Sequence, residues 1–329
     1  MEMSKFCSQN SYIYLPTKQK PRVALAIDNK NIAKNAFKLY NPFSTKAKIL
    51  KNVYAFIFCS SNFRLGTRTE KVEEKSKFIE YLEKELKEEI IASLYFATIE
   101  DKIVIQLQSK DAKIIGYLKY PLNEIGLIHV KNEIRAFEIL SEKKIVEPYL
   151  LSKEYEGKPF LILKELDGDI GMVSNDNVKK IIESFYRDKR YTLLLHPKVI
   201  ELKELLKSNG LENYISQVED ICSKSTLEFR LVYEHGDFTP WNIVKVKENY
   251  IPFDFEYFVE DGLEYFDLIK YYYNTGRLLH AKEGKALIEY VVDNIDSDEA
   301  LLLIRLFLMK EIILNIDSSQ NERQLLKSL

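Results

Sequence analysis

Between Leu231 and Leu268 the chain reads LVYEHGDFTPWNIVKVKENYIPFDFEYFVEDGLEYFDL. A short apolar run ends in His235-Gly236-Asp237, and Asn242 stands five residues after that aspartate. Ile243 to Lys247, a polar turn at Glu248-Asn249, and Tyr250 to Phe253 have the alternation of a β-hairpin that delivers Asp254 at its far end. Antiparallel strands return the chain to its starting point. The hairpin therefore brings Asn242 and Asp254 together, with Asp237 on the loop just before them. A carboxylate and an amide carbonyl are the hard oxygen donors that Mg2+ takes, and a second carboxylate can accept the proton of an attacking hydroxyl. That is the residue set for phosphoryl transfer from ATP, with Asn242 and Asp254 on the metal and Asp237 as the base.

The spacing His235-x-Asp237-x4-Asn242 followed by Asp254-Phe255-Glu256 matches the protein-kinase pattern His-Arg-Asp-x4-Asn and Asp-Phe-Gly, except that Gly236 replaces the arginine and Glu256 the glycine. These departures point away from a protein kinase and toward another branch of the fold. HGDFTPWNI, then PFDFE, then Gly262 and Asp267-Leu268, resembles the aminoglycoside phosphotransferase and choline kinase family. The resemblance implies an ATP-dependent, Mg2+-using phosphotransferase acting on a hydroxyl of a small molecule or glycan. It also implies that His235 is a scaffold residue bonded to the loop backbone, and that Asp267 is a buried carboxylate bracing the loop from below. The competing class is a silent kinase-fold binding or regulatory protein, because no glycine occurs between Ile90 and Lys113 where a glycine-rich phosphate lid would lie. Use of another nucleotide also stays open.

The elements that must position these groups follow from periodicity. Ile91 to Thr98, Lys102 to Leu107 and Ile114 to Tyr120 alternate as antiparallel strands. In the kinase plan the third strand carries the lysine that neutralises the nucleotide phosphates. Lys119 fits that role, with Lys113 as its competitor. The helix expected over 128–141 should supply the carboxylate that aims the lysine. Val130, Ile134 and Phe137 form its buried stripe, Glu133 lies on the edge of that stripe, and Glu138 lies toward solvent. Pro159 to Lys164 forms a further strand, and Glu165 and Leu166 after it are placed at the hinge, with their backbone groups toward adenine. Helices are expected over 177–191, 197–208, 211–224, 265–273, 281–293 and 300–315. Before residue 90 the pattern gives a hairpin from Tyr12 to Ile27, helices over 31–40 and 44–58, a loop over 62–69, and a long amphipathic helix over 70–89.

The reading is therefore α+β: a two-lobed, protein-kinase-like fold with an antiparallel-sheet N-lobe (90–166), a helical C-lobe with the catalytic and metal loops (167–329), and an N-terminal α/β extension (1–89). Composition agrees with an ordinary soluble globular protein, at 329 residues, 30% charged, 46% hydrophobic and net charge −2, which gives no basic field for nucleic acid. Cys7, Cys59 and Cys222 lack metal-ligand or disulfide spacing. With no signal peptide at the start and charges interrupting Ala300 to Ile316, the expectation is a cytoplasmic protein without a membrane span. Glu256, Glu260, Asp261, Glu264 and Asp267 suggest an acidic edge that would attract a cationic amino alcohol, and the aromatic run Tyr271 to Tyr273 offers a stacking face for a sugar.

Overall fold

The computed structural model describes residues 3–17, 19, 21–39, 49, 51–56, 69–96 and 101–329. The chain divides into two units, Met1–Ile134 with Glu147–Glu165, and Arg135–Val146 with Leu166–Leu329.

The first unit is built on an eight-stranded antiparallel sheet. Its strands are β1 (Ser11–Pro16), β2 (Pro21–Ala26), β3 (Glu70–Lys71), β4 (Ile91–Phe96), β5 (Lys102–Gln108), β6 (Ile114–Pro121), β7 (Leu151–Tyr155) and β8 (Lys158–Leu163), in the order β3-β1-β2-β4-β5-β6-β8-β7. The segment expected as an N-terminal extension thus adds its three strands to one edge of the same sheet. Alternation of side chains explains how it does so. Tyr12, Ala24 and Ala26 join the core on one face with Leu94, Ile103, Ile105 and Phe160, whereas Ile13, Val23 and Leu25 join a second core on the other face with Ala33 and Ala36 of α1 (Lys30–Ala36) and with Phe37 just after it. The long helix expected over 70–89 is shorter. Residues 70–71 pair with β1, and α2 (Lys77–Leu86) begins only after Ser76, whose hydroxyl accepts the Ile79 N–H at 3.2 Å. Phe78 of α2 is buried among Phe6, Tyr120, Tyr155 and Phe160. Burying such a side chain stabilises by about 1.5–3 kcal/mol. Of the helix expected over 44–58, residues 49 and 51–56 are described and helical, and the rest, like the loop at 62–68, lies outside the described residues.

The helix placed at 128–141 runs farther, as α3 (Glu124–Glu142), because the Asn123 side chain accepts the Gly126 N–H at 2.9 Å and caps it earlier. Its residues to Ile134 belong to the first unit and those from Arg135 to the second. The strand β7, not anticipated from sequence, forms a hairpin with β8.

The second unit is mainly helical, with two three-stranded sheets. The helix expected over 177–191 stops early. It is α4 (Asn175–Ser184), and Tyr186–Thr192 is a strand, β10, because Tyr186, Tyr191 and Thr192 pair with β11 (Glu228–Glu234). Aromatic and β-branched residues prefer that pleated surface to a helix. β11 also pairs with β14 (Val259–Leu263), and the short β9 (Asp169–Ile170) pairs with β12 (Ile243–Val246), which forms the anticipated hairpin with β13 (Asn249–Pro252). The remaining helices are α5 (Pro197–Ser208), α6 (Ile215–Lys224), α7 (Phe266–Asn274), α8 (Gly284–Val292), α9 (Ala300–Leu314) and α10 (Gln320–Ser328). α9 is a core helix with Leu303, Ile304, Phe307, Leu308 and Ile312 buried, and no helix among the described residues is long and apolar enough to cross a membrane. Tyr271, Tyr272 and Tyr273 are at most 3% exposed, so they are core residues and present no stacking face.

His196, which is fully buried, caps α5. Its Nδ1 accepts the Lys198 N–H at 3.2 Å, and Nε2 lies 3.2 Å from the Arg230 carbonyl, to which it must donate. Both bonds need the neutral ring, and burial lowers its pKa from the ordinary value. In the unfolded chain the imidazole titrates near about 6.5, so below that pH the unfolded state binds the extra proton and the contribution of His196 is lost. The stability of the wild type relative to His196→Asn, which keeps a capping side chain, is therefore expected to fall as pH drops below about 6.5. Denaturant unfolding across pH checks this, and a pH-independent difference would contradict it.

Candidate active site

The central strand β11 runs directly into His235. Its last residue, Glu234, is fully buried, and Lys310 of α9 forms an ion pair with it. The carboxyl is held below its usual range although burial opposes ionisation, because Lys310 and Lys198 favour the charge. Gly262 on β14 makes the room, since a Cβ there would sit 2.3 Å from Glu234 Cβ.

The loop that follows is fixed through its backbone. Asp267, in the first turn of α7, accepts the His235 N–H at 2.6 Å on Oδ2 and the Gly236 N–H at 2.9 Å on Oδ1. Burial and the Glu234 carboxylate push the Asp267 carboxyl up to about 7, against the pull of Lys310 and of the two amides. Gly236 adopts φ +83°, and a Cβ there would meet the Tyr257 carbonyl oxygen at 2.2 Å. The position where protein kinases carry arginine thus accommodates only glycine in this chain.

The His235 ring is buried 4.5 Å from the Phe255 ring. Nε2 faces the Phe253 carbonyl at 3.0 Å and donates to it, while Nδ1 accepts the Asp237 N–H at 3.4 Å. Burial lowers its pKa, in keeping with the neutral tautomer that these two bonds require. In this geometry His235 ties the Asp237 loop to the end of the β12–β13 hairpin.

Asp237 and Asn242 are brought together. The Asn242 amide nitrogen donates to both the Asp237 carbonyl and Asp237 Oδ2, each at 2.9 Å. Two acceptors on the nitrogen side set the orientation of the amide, with the Asn242 side-chain oxygen on the other side. The Phe253 N–H donates to the Asn242 carbonyl of the backbone at 3.0 Å, closing the hairpin one residue before Asp254. Asp254 itself takes φ +68°, a left-handed conformation uncommon outside glycine. Such conformations concentrate at functional sites.

The first unit carries the other residues singled out in the sequence. Lys119 on β6 donates to Glu133 Oε1 of α3 at 2.7 Å, with side-chain exposures of 11% and 1%, whereas Glu138 is 46% exposed. Lys113 lies before the start of β6 and is exposed. Glu165 is half-buried beside Lys38, 3.1 Å away, and the division between the two units falls between Glu165 and Leu166.

The acidic run looks different in the structure. Glu260 accepts Arg135 Nε at 2.7 Å, Asp261 accepts Arg187 Nη1 at 2.5 Å, and Glu264 accepts the Arg230 N–H at 2.8 Å. Asp267 is committed to the loop, and Glu260, Asp261 and Glu264 each have an arginine partner, although the Glu260 and Asp261 side chains stay 43% and 55% exposed. Sequence reasoning missed Lys270, whose Nζ lies 2.7 Å from Glu311 Oε2 and 4.0 Å from Asp237 Oδ1. Its signal was its position three residues after Asp267, on the same face of a helix.

If Glu234 is charged and held by Lys310, Lys310→Met leaves a buried carboxylate unpaired and is expected to cost about 3–5 kcal/mol. The double variant Lys310→Met/Glu234→Gln should recover most of that loss, as read by denaturant unfolding. A loss under about 1 kcal/mol for Lys310→Met would contradict the buried ion pair.

No family model matches the chain, and no curated protein matches it. Solved structures do. An aminoglycoside phosphotransferase in ternary complex with ADP and hygromycin B has a TM-score of 0.50 and 8% identity, covering 77% of this chain and 99% of that one. A streptomycin-ATP complex of another aminoglycoside phosphotransferase has a TM-score of 0.46 and 13% identity, covering 78% and 99%. Plasmodium vivax ethanolamine kinase has a TM-score of 0.44 and 13% identity, covering 92% and 94%. At these identities the likeness is one of fold, and the first of the three carries it: the chain has the fold of that aminoglycoside phosphotransferase.

Proposed function

We propose that this chain is an ATP-dependent phosphotransferase that moves the γ-phosphoryl group to a hydroxyl of a small molecule or glycan. The observation that carries the reading is the Asp237–Asn242 pair. Asn242 engages Asp237 Oδ2 through its nitrogen, which leaves Asp237 Oδ1 for the proton of an acceptor hydroxyl and the Asn242 carbonyl oxygen for a cation. The donor set fits Mg2+, a hard ion that takes amide and carboxylate oxygens. Asn242 and Asp254 would hold it, and its charge would offset that of the transferring phosphates.

The reaction balances on these groups. The acceptor hydroxyl gives its proton to Asp237 Oδ1, its oxygen forms the new bond to the γ-phosphorus, and the bond to the β-phosphate oxygen breaks, so that ADP leaves with the electron pair. Catalysis of this kind rests on positioning and charge stabilisation. In the first unit, the buried Lys119–Glu133 pair supports assignment of Lys119 to the nucleotide phosphates, with Glu133 aiming it. Backbone groups of Glu165 and Leu166 are assigned to the adenine edge. His235 and Asp267 hold the Asp237 loop in shape. The structure that carries the fold is a complex with ADP, in keeping with ATP as the donor.

The acceptor is assigned as a hydroxylated molecule, a sugar or an amino alcohol, without a strongly anionic group at its reacting end, where it would meet the Asp237 carboxylate as a like charge. Calorimetric titration with ATP in Mg2+ and in chelator tests the nucleotide part. Asp254→Ala is expected to abolish the Mg2+-dependent gain in affinity, and Lys119→Ala to weaken ATP binding by about tenfold or more. Unchanged Mg2+-dependent binding in Asp254→Ala would contradict the metal assignment, and unchanged affinity in Lys119→Ala would contradict the lysine's.

A further inference from the structure

One cation stands beside the proposed base and has no part in the scheme so far. Lys270 is one turn beyond Asp267 on α7, so the helix face that holds the amides of His235 and Gly236 also presents an ammonium to the next loop residue, Asp237. It is 13% exposed, and its Nζ is anchored 2.7 Å from Glu311 Oε2, on α9. Glu311 is itself 8% exposed in its side chain, and its Oε1 has no hydrogen-bond partner among the described residues. Lys270 is thus the side-chain hydrogen-bond donor to this carboxylate, whose charge also acts on the neighbouring Lys310.

The 4.0 Å from Nζ to Asp237 Oδ1 is too long for a hydrogen bond. It is short enough for one oxygen atom to lie about 2.8 Å from both. Oδ1 is also the oxygen that Asn242 does not occupy, since the amide donates to Oδ2. On the reading given under Proposed function, the atom between them is the acceptor oxygen. We infer that Lys270 is a further catalytic residue, which donates a hydrogen bond to the acceptor hydroxyl oxygen while that hydroxyl donates its proton to Asp237 Oδ1.

The consequence is orientation. A hydroxyl oxygen has one proton and two lone pairs. With the proton on Asp237 and one lone pair on Lys270, the second lone pair is left to face phosphorus. As the proton passes to Asp237 and the oxygen–phosphorus bond forms, the ammonium stabilises negative charge on the attacking oxygen. It also selects the nucleophile: a protonated amine at this point would meet Lys270 as a like charge, whereas a neutral hydroxyl would not. The assignment thus narrows the reacting end to an alcohol, whatever charge the acceptor carries elsewhere.

The test uses the full chain and Mg-ATP, with water as background acceptor and a panel of glucose, ethanolamine, choline and hygromycin B. Initial rates of ADP release give kcat and KM on the fastest acceptor, calorimetry gives the Mg-ADP affinity, and thermal unfolding reports the fold. Lys270→Met/Glu311→Gln removes both partners without stranding a buried charge. Lys270→Arg keeps the ion pair but displaces the donor. The double variant is expected to lose about 100-fold in kcat, with KM for ATP and Mg-ADP affinity unchanged. Lys270→Arg should lose about tenfold with an unchanged unfolding midpoint. Wild-type kcat in either folded variant overturns the role of Lys270 and leaves the phosphotransferase reading standing. A matching loss of Mg-ADP affinity also overturns it, by placing Lys270 on the nucleotide. A wild type that binds Mg-ADP yet releases no ADP with any acceptor overturns the phosphotransferase reading and the Lys270 assignment with it.

Discussion

A single buried carboxylate determines the shape of the Asp237 loop. Asp267 accepts two successive backbone amides, those of His235 and Gly236, and so fixes the turn that presents Asp237. Everything nearby accommodates that pair of bonds. Gly236 must take a left-handed φ in a space closed by the Tyr257 carbonyl, His235 must stay neutral to bridge to Phe253, and Asn242 then reaches both the backbone and the side chain of Asp237. Beneath the loop, Glu234 and Lys310 form a buried ion pair whose charge bears directly on Asp267. A buried pair of this kind is weak evidence for stability, since desolvation opposes it. Here its geometry is tied to the end of β11 and to the core helix α9, which suits a role in fixing where the loop begins.

The site was legible to the extent that its chemistry is local in sequence. His235, Asp237, Asn242 and Asp254 fall in one stretch with a hairpin of definite length, and the strand pairing Ile243 to Pro252 follows from alternation and a polar turn. Lys119 and Glu133 lie on neighbouring elements, and a helical projection sufficed to prefer Glu133 over Glu138. What escaped was carried by contacts distant in sequence. Lys310 and Glu311 read only as charges interrupting an apolar helix, yet each meets a partner on another element, Glu234 and Lys270 respectively. Two adjacent charges inside an otherwise apolar helix are a signal that a core holds their partners.

The errors in the fold have the same origin. Residues 186–192 alternate too weakly to declare a strand, and only pairing with β11 settles them. Residues 70–71 became an edge strand through β1, which no local pattern specifies. The tyrosines at 271–273 and the carboxylates at 260–264 suggested ligand contacts by residue type. The structure buries the tyrosines and gives the carboxylates arginine partners, neither of which sequence shows. Residue type alone thus pointed to ligand contacts at buried tyrosines and arginine-paired carboxylates, and passed over Lys270 beside Asp237.

The central claim is that Asp237 accepts a proton from a hydroxyl that takes a phosphoryl group from ATP. Phosphorus-31 NMR of the protein with Mg-ATP and the panel of hydroxylated acceptors follows donor and product in one spectrum. The account predicts that, with at least one acceptor, ADP and a phosphate monoester grow together in equal amounts, and that Asp237→Asn, with nucleotide still bound, abolishes the monoester signal. A monoester formed at the wild-type rate by Asp237→Asn, or ATP left intact by the wild type with every acceptor, would contradict it.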